Sequence, residues 1–90
     1  VRAFAGKHGI ARAHESWQEM LARPEWDALV VSTWPDGTPE VLEAALGLGV
    51  PVLVEKPVAW NTARHRRLLA RPHDQVIVGY NRRFYRSVQQ

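Results

Sequence analysis

The residues best suited to chemistry in this 90-residue chain stand just after short valine-rich runs. Lys56 follows Val50 to Glu55 (VPVLVE) and precedes Pro57. Proline fixes its own φ and biases the preceding residue toward extended backbone, so Lys56 is expected to be held in place. Partial desolvation of an ammonium, here in a cleft near Arg82, eases proton loss and suits a general acid or base. Such a lysine could protonate a carbonyl oxygen as hydride arrives at carbon, or take the proton in the reverse direction. Residue type equally describes a lysine paired with Glu55 at a strand end, and spacing leaves both open. Asn81 and Arg82 follow Gln75 to Tyr80 (QVIVGY). Their amide and planar guanidinium could bond a carboxamide, a sugar hydroxyl or a phosphate, with a solvated loop as the alternative. Thr33 closes Ala28 to Thr33 (ALVVST) and could offer a hydroxyl to a ribose or pyrophosphate, or simply shape a turn. Trp34, beside Pro35, could lie as a flat wall under a ring, or pack internally.

These residues need elements to position them. The three runs are short, apolar and β-branched without alternation, a pattern that suits strands buried on both faces of a parallel sheet. Their apolar midpoints fall near Val30, Val54 and Val78, 24 residues apart each time. Between the first two, Thr38 as N-cap, Pro39 at N1, Glu40 in the first turn and Gly49 as the stop outline a helix. Between the second pair, Asn61 or Thr62 caps a helix running to Ala70, with Trp60 stapled onto it. The chain thus reads as two successive βαβ units, with a small helical bundle as the less fitting alternative because the valine-rich runs are too short. Upstream, Val1 to Ile10 resembles a helix tail ended by Gly9, with Val1, Phe4 and Ala5 on one face. Ala11 to His14 fits a short strand. Ser16 to Glu19 matches a capping box opening a short helix that buries Trp17, Met20 and Leu21 and stops before Pro24. Right-handed crossovers make the three good strands parallel, so Thr33 to Asp36, Glu55 to Pro57 and Tyr80 to Arg83 emerge on one edge. That is the edge where open α/β sheets bind ligands.

Ninety residues make one domain at most. Composition, 46% hydrophobic and 23% charged, is that of a globular chain and argues against intrinsic disorder. No apolar run approaches the roughly 18 residues of a membrane span, and no signal-peptide pattern is visible. Zero cysteines exclude disulfides, thiolate catalysis and zinc-thiolate sites, and fit a reducing cytoplasm. Residues 1–57 hold five Lys/Arg against eight Asp/Glu, whereas residues 58–90 hold seven against one. That basic end suits a phosphate or nucleic-acid partner, or a solvated helix face with a few arginines near an anionic ligand. Arg64, His65, Arg66 and Arg67 read first as the outer face of a helix. His8, His14, His65 and His73 show no metal-ligand spacing and are expected at surfaces or helix ends. No P-loop, Gly-x-Ser-x-Gly or Gly-x-Gly-x-x-Gly occurs, and Gly47-Leu48-Gly49 lies at a helix end instead of after a strand.

A strand ending in Val-Leu-Val-Glu-Lys-Pro, preceded by Thr33, Pro35 and Asp36 and followed by Val-Gly-Tyr-Asn-Arg-Arg-Phe, resembles the Gfo/Idh/MocA family of NAD(P)-dependent oxidoreductases. The resemblance runs along all 90 residues. It implies an incomplete Rossmann-like α/β domain: a doubly wound parallel sheet lacking the glycine-fingerprint strand, with a separate substrate domain not included. It assigns proton transfer to Lys56. Glu55 and Pro57 then flank the nicotinamide side, Asn81 and Arg82 line the cofactor and substrate cleft, and Thr33 and Pro35 touch the nicotinamide half of NAD or NADP. Family members often carry His where this chain has Thr38, so one ligand contact is expected to be missing.

The activity implied is hydride transfer between a nicotinamide cofactor and a sugar, cyclitol or similar hydroxyl or carbonyl compound, by a parent protein expected to form a homo-oligomer. The 90 residues alone are expected to be inactive. With the fingerprint strands missing, the outer edge of Ala28 to Thr33 would be bare, so self-association or marginal stability is expected. The rival reading is a truncated, non-enzymatic module that docks on a protein or nucleic acid through that edge and its basic end. Membrane attachment is not expected.

Overall fold

A computed structural model describes residues 1–23, 25–72, 74–87 and 89. The chain runs α1 (Arg2–Lys7), α2 (Trp17–Leu21), β1 (Leu29–Val31), α3 (Thr38–Leu46), β2 (Val52–Val54), α4 (Thr62–Leu69), β3 (Val76–Val78) and a 3₁₀ helix (Asn81–Phe84). The strands form one parallel sheet in the order β1-β2-β3. This is the βαβαβ arrangement of an open, Rossmann-like α/β sheet expected from the sequence, with each strand trimmed to its three central residues.

Register decides which side chains are buried. Val31 pairs with Val54 and Val54 with Val78, while Val30 pairs with Leu53 and Leu53 with Ile77. The even 24-residue spacing would instead have aligned Val30 with Val54. A one-residue slip turns every side chain to the opposite face. Leu29, Val31, Val52 and Val54 are consequently buried with Val41, Leu42 and Ala45 of α3, Val58, and Leu68 of α4. The other face is uncovered: Val30 is 68% exposed, Leu53 41% and Ile77 62%. Burial on both faces, expected from the unalternating runs, is therefore not found. α3 packs against β1, β2 and α4, so α3 and α4 cover the face that carries Val31, Val52 and Val54.

Local signals explain the helix ends. Gly9 takes φ +66° just past α1, and the amides of Gly9 and Ile10 donate to the carbonyls of Gly6 and Ala5. These two bonds form a Schellman ending, which favours glycine at the left-handed position. Of its apolar residues Ala5 is buried, whereas Val1 and Phe4 are exposed. Ser16 accepts from the Glu19 amide, but Glu19 reaches back to the Glu15 amide instead of that of Ser16. Trp17, Met20 and Leu21 pack against the core only partly, and Pro24 lies outside the described residues. Asn61 caps α4 by accepting from the Arg64 amide at 2.8 Å, as its residue type suggested. α3 begins one residue earlier than expected, with Gly37 as N-cap and Thr38 as the first helical residue.

Ala11 to His14 is not a strand. An extended segment becomes one only where a neighbouring edge takes its backbone hydrogen bonds, and among the described residues no ladder includes it. His14 corrects the expectation of surface histidines. Its side chain is only 8% exposed, its Nδ1 lies 3.3 Å from Glu19 Oε1, and it meets Trp26 edge to face. His8 sits exposed at the end of α1, His65 is half-buried on α4, and His73 lies outside the described residues. On α4, Arg64 and Arg66 are exposed, while Arg67 and, beyond the helix end, Arg71 converge on Glu43 of α3 at 3.2 and 2.9 Å.

Candidate functional site

The sheet is parallel, so all three strands end on one edge. Two backbone bonds align the exits: the Glu55 amide donates to the Val31 carbonyl and the Gly79 amide to the Val54 carbonyl, each at 2.9 Å. Glu55 thus sits between the ends of β1 and β3. Thr33 and Trp34 leave β1, Lys56 and Pro57 follow β2, and Asn81 and Arg82 follow β3. Thr33, Trp34, Glu55, Lys56, Asn81 and Arg82 are exposed, with Pro35 and Pro57 half-buried.

Lys56 does not pair with Glu55. Among the described residues no ion pair involves Lys56, Glu55, Asp36, Arg82 or Arg83. The structural alternative for this lysine, a strand-end ion pair, is therefore not realised. Its ammonium stands in solvent, so the partly desolvated cleft expected around it is not built by these residues. The Lys56-Pro57 peptide bond is cis.

Beyond β3 the chain turns sharply. The amides of Tyr80 and Asn81 donate to the carbonyls of Val78 and Gly79 at 2.8 and 2.9 Å, and Asn81 to Phe84 then form the 3₁₀ helix. Asn81 and Arg82 consequently stand on a short helical turn instead of an open loop. Glu55 lies across the sheet from this turn, and a Cβ built on Gly79 would come within 3.3 Å of Glu55 Oε1.

The β1 exit is the most firmly tied. The Trp34 carbonyl accepts from the amides of Gly37 and Thr38, at 2.9 and 3.2 Å, and from Thr38 Oγ1 at 3.2 Å. Thr38 Oγ1 also lies 2.9 Å from Thr33 Oγ1. Thr38 is 2% exposed, whereas the Trp34 indole is 87% exposed. Internal packing of Trp34 is thereby excluded. Trp60 is likewise exposed and is not the expected staple; Val58 and Ala59 are buried at that junction instead. From the sequence Thr38 stands out only as a helix cap and as a departure from a family pattern. The available signal was a second hydroxyl five residues after Thr33, at a helix start.

The donor set at this edge fits the nicotinamide half of a dinucleotide. It combines an exposed flat indole, a hydroxyl, an amide and cations without an ion-pair partner among the described residues, together with a strand end where glycine leaves room for a carboxylate. No glycine-rich phosphate cradle occurs in these 90 residues. Among the described residues no group of three or more His, Asp or Glu is arranged to hold a metal. No described helix is long and apolar enough to cross a membrane.

A parallel α/β sheet with polar and cationic groups gathered at its carboxyl edge defines a nucleotide-binding class of domain. The model of the family described as "Oxidoreductase family, NAD-binding Rossmann fold" matches residues 1–80, and the chain belongs to this Gfo/Idh/MocA family. It is 37% identical over 71 residues to an inositol 2-dehydrogenase of Gluconacetobacter diazotrophicus, covering 74% of this chain and 21% of that protein. Against an inositol 2-dehydrogenase of Pseudomonas fluorescens it is 33% identical over 86 residues, covering 91% of this chain and 26% of the relative. The fold superposes on the crystal structure of a probable dehydrogenase from Thermotoga maritima with a TM-score of 0.83 and 27% identity, over 94% of this chain and 27% of that one. The chain therefore spans about a fifth to a quarter of the length of these proteins.

Proposed function

We propose that these residues form part of an NAD- or NADP-dependent oxidoreductase acting on a cyclitol, sugar or similar cyclic hydroxyl compound, with Lys56 as its proton-transfer residue. The observation that carries this reading is an exposed lysine, free of any described carboxylate, at the β2 exit between the hydroxyl and indole of the β1 exit and the amide and guanidinium beyond β3. The substrate class rests on the inositol dehydrogenases among the relatives.

The dinucleotide, when bound, supplies the acceptor or donor of hydride. Thr33, Trp34, Pro35, Glu55, Pro57, Asn81 and Arg82 would hold its nicotinamide half. In the oxidative direction Lys56 Nζ would take the proton from the substrate hydroxyl oxygen while the carbon bearing it gives hydride to the dinucleotide; in reduction the ammonium would return a proton to the carbonyl oxygen. A second body of protein over this edge would enclose Lys56 and exclude water from the reacting atoms. That enclosure is consistent with relatives more than three times the length of this chain.

The test is Lys56→Ala in the complete gene product that carries these residues. Turnover of a cyclic polyol should fall by at least about a hundredfold, the range for losing a general acid or base. Cofactor affinity, measured by protein-fluorescence quenching, should stay within about threefold of the parent, because an exposed cation supplies only a modest share of ligand attraction. Retained turnover would overturn the assignment.

A further inference from the structure

The buried hydroxyl at the start of α3 has a role that a helix cap does not explain. Thr38 is the first helical residue and Gly37 the N-cap, so the Thr38 hydroxyl is not needed to cap the helix. It turns inward, 2.9 Å from Thr33 Oγ1 and 3.2 Å from the Trp34 carbonyl oxygen, with the Thr33 carbonyl at 3.5 Å. One hydroxyl proton serves one acceptor at a time, so the contacts are shared: if Thr38 donates to Trp34, its oxygen accepts from Thr33.

Two consequences follow from this arrangement. The Trp34 backbone, held at its carbonyl by three donors, is fixed, while its indole remains in solvent. Anchoring the backbone from which a large exposed ring projects removes the main-chain share of the freedom lost when a ligand stacks on that ring, and preorganisation of that kind strengthens binding. The Thr33 hydroxyl is also oriented, because its partner at 2.9 Å restricts where its remaining lone pair and proton can point.

We propose that Thr38 is a positioning residue for the cofactor side of the site. It sets the shape of the Thr33-Trp34 exit without touching the ligand, so that Trp34 presents its face to a planar ring and Thr33 presents a directed hydroxyl. This inference rests on the oxidoreductase reading given above. The residue is a short alcohol contacting its own loop, and a larger side chain reaching outward from this buried position would break both bonds.

The experiment compares Thr38→Val, Thr38→Ser, Thr33→Val and the Thr33→Val/Thr38→Val double variant in the complete gene product, reading the KM for NAD(P), kcat and thermal midpoint. Thr38→Val keeps the shape and deletes the hydroxyl. It should raise the cofactor KM about tenfold, the scale of one lost hydrogen bond in a part-buried pair, with kcat within about twofold. Thr38→Ser should restore the parent KM. The effect of the double variant should fall short of the two single effects combined, because the Thr33-Thr38 contact is shared between them. A parent-like KM in Thr38→Val, or fully additive effects, would overturn the proposal, as would failure of serine to rescue. If Thr38→Val does not fold, Thr38→Ser decides: a folded serine variant with a raised KM overturns the proposal, and a parent-like KM upholds it. Lys56→Ala tests the underlying reading separately, since its retained turnover would refute that reading whatever the loop variants do.

Discussion

The Glu55 carboxylate lies against the α-carbon of Gly79, close enough that a Cβ there would stand 3.3 Å from Oε1. The neighbour is the free end of an exposed side chain, so it can swing aside at small cost. Gly79→Ala should therefore change the stability of the chain by less than about 1 kcal/mol, because the slight crowding is offset by lower chain entropy in the unfolded state. Moving the carboxylate should nonetheless raise the cofactor KM of the complete protein. Thermal melts and steady-state kinetics of one variant check both halves; a melting loss as large as that of a core truncation would show that Gly79 serves packing instead.

Val54 is fully buried at the centre of the sheet, paired with Val31 and Val78, whereas its neighbour Leu53 points to the uncovered face. Val54→Ala should cost about 2 kcal/mol through lost apolar burial and the cavity left behind. Leu53→Ala should cost well under half as much. Denaturant titration of both variants compares them directly, and equal losses would contradict the register.

The β1 edge carries no partner strand among the described residues, and Val30, Leu53 and Ile77 leave one sheet face apolar and open. Exposed strand edges and apolar patches drive association. Sedimentation velocity of the 90-residue chain should show concentration-dependent self-association that Val30→Thr with Ile77→Thr reduces. A monomer that unfolds cooperatively at a high midpoint would contradict this expectation.

Glu19 bonds the His14 ring and the Glu15 amide, and these contacts hold its carboxyl below the usual carboxylate range. A depressed folded-state value means that its contribution is fully present above the unfolded value and is lost as pH falls through the folded one. Glu19→Gln should therefore flatten the acid limb of a melting-temperature profile and leave the neutral region nearly unchanged. An identical acid limb in both proteins would remove the contact from any role in acid stability.

Much of this chain was legible because its signals are local. Asn61 before an arginine-rich helix, Ser16 three residues ahead of Glu19, and Gly9 at a left-handed position each act within one turn, through bonds that the neighbouring residues complete. The clustering of Thr33, Lys56 and Asn81 at one edge followed from parallel strands alone, and the motif Glu55-Lys56-Pro57 with the run after β3 pointed to the family.

Tertiary structure decided what depends on distant partners. Ala11 to His14 reads as a strand, but no ladder among the described residues includes it. Register, fixed by how β1 sits on β2 and α3, turned Val30 outward although its residue type matches that of buried Val31. Packing also covered His14 and exposed Trp34 and Trp60, because burial depends on which surfaces meet and not on side-chain type. The Thr33 and Thr38 hydroxyls come within bonding distance only once the β1 exit folds back onto the first turn of α3.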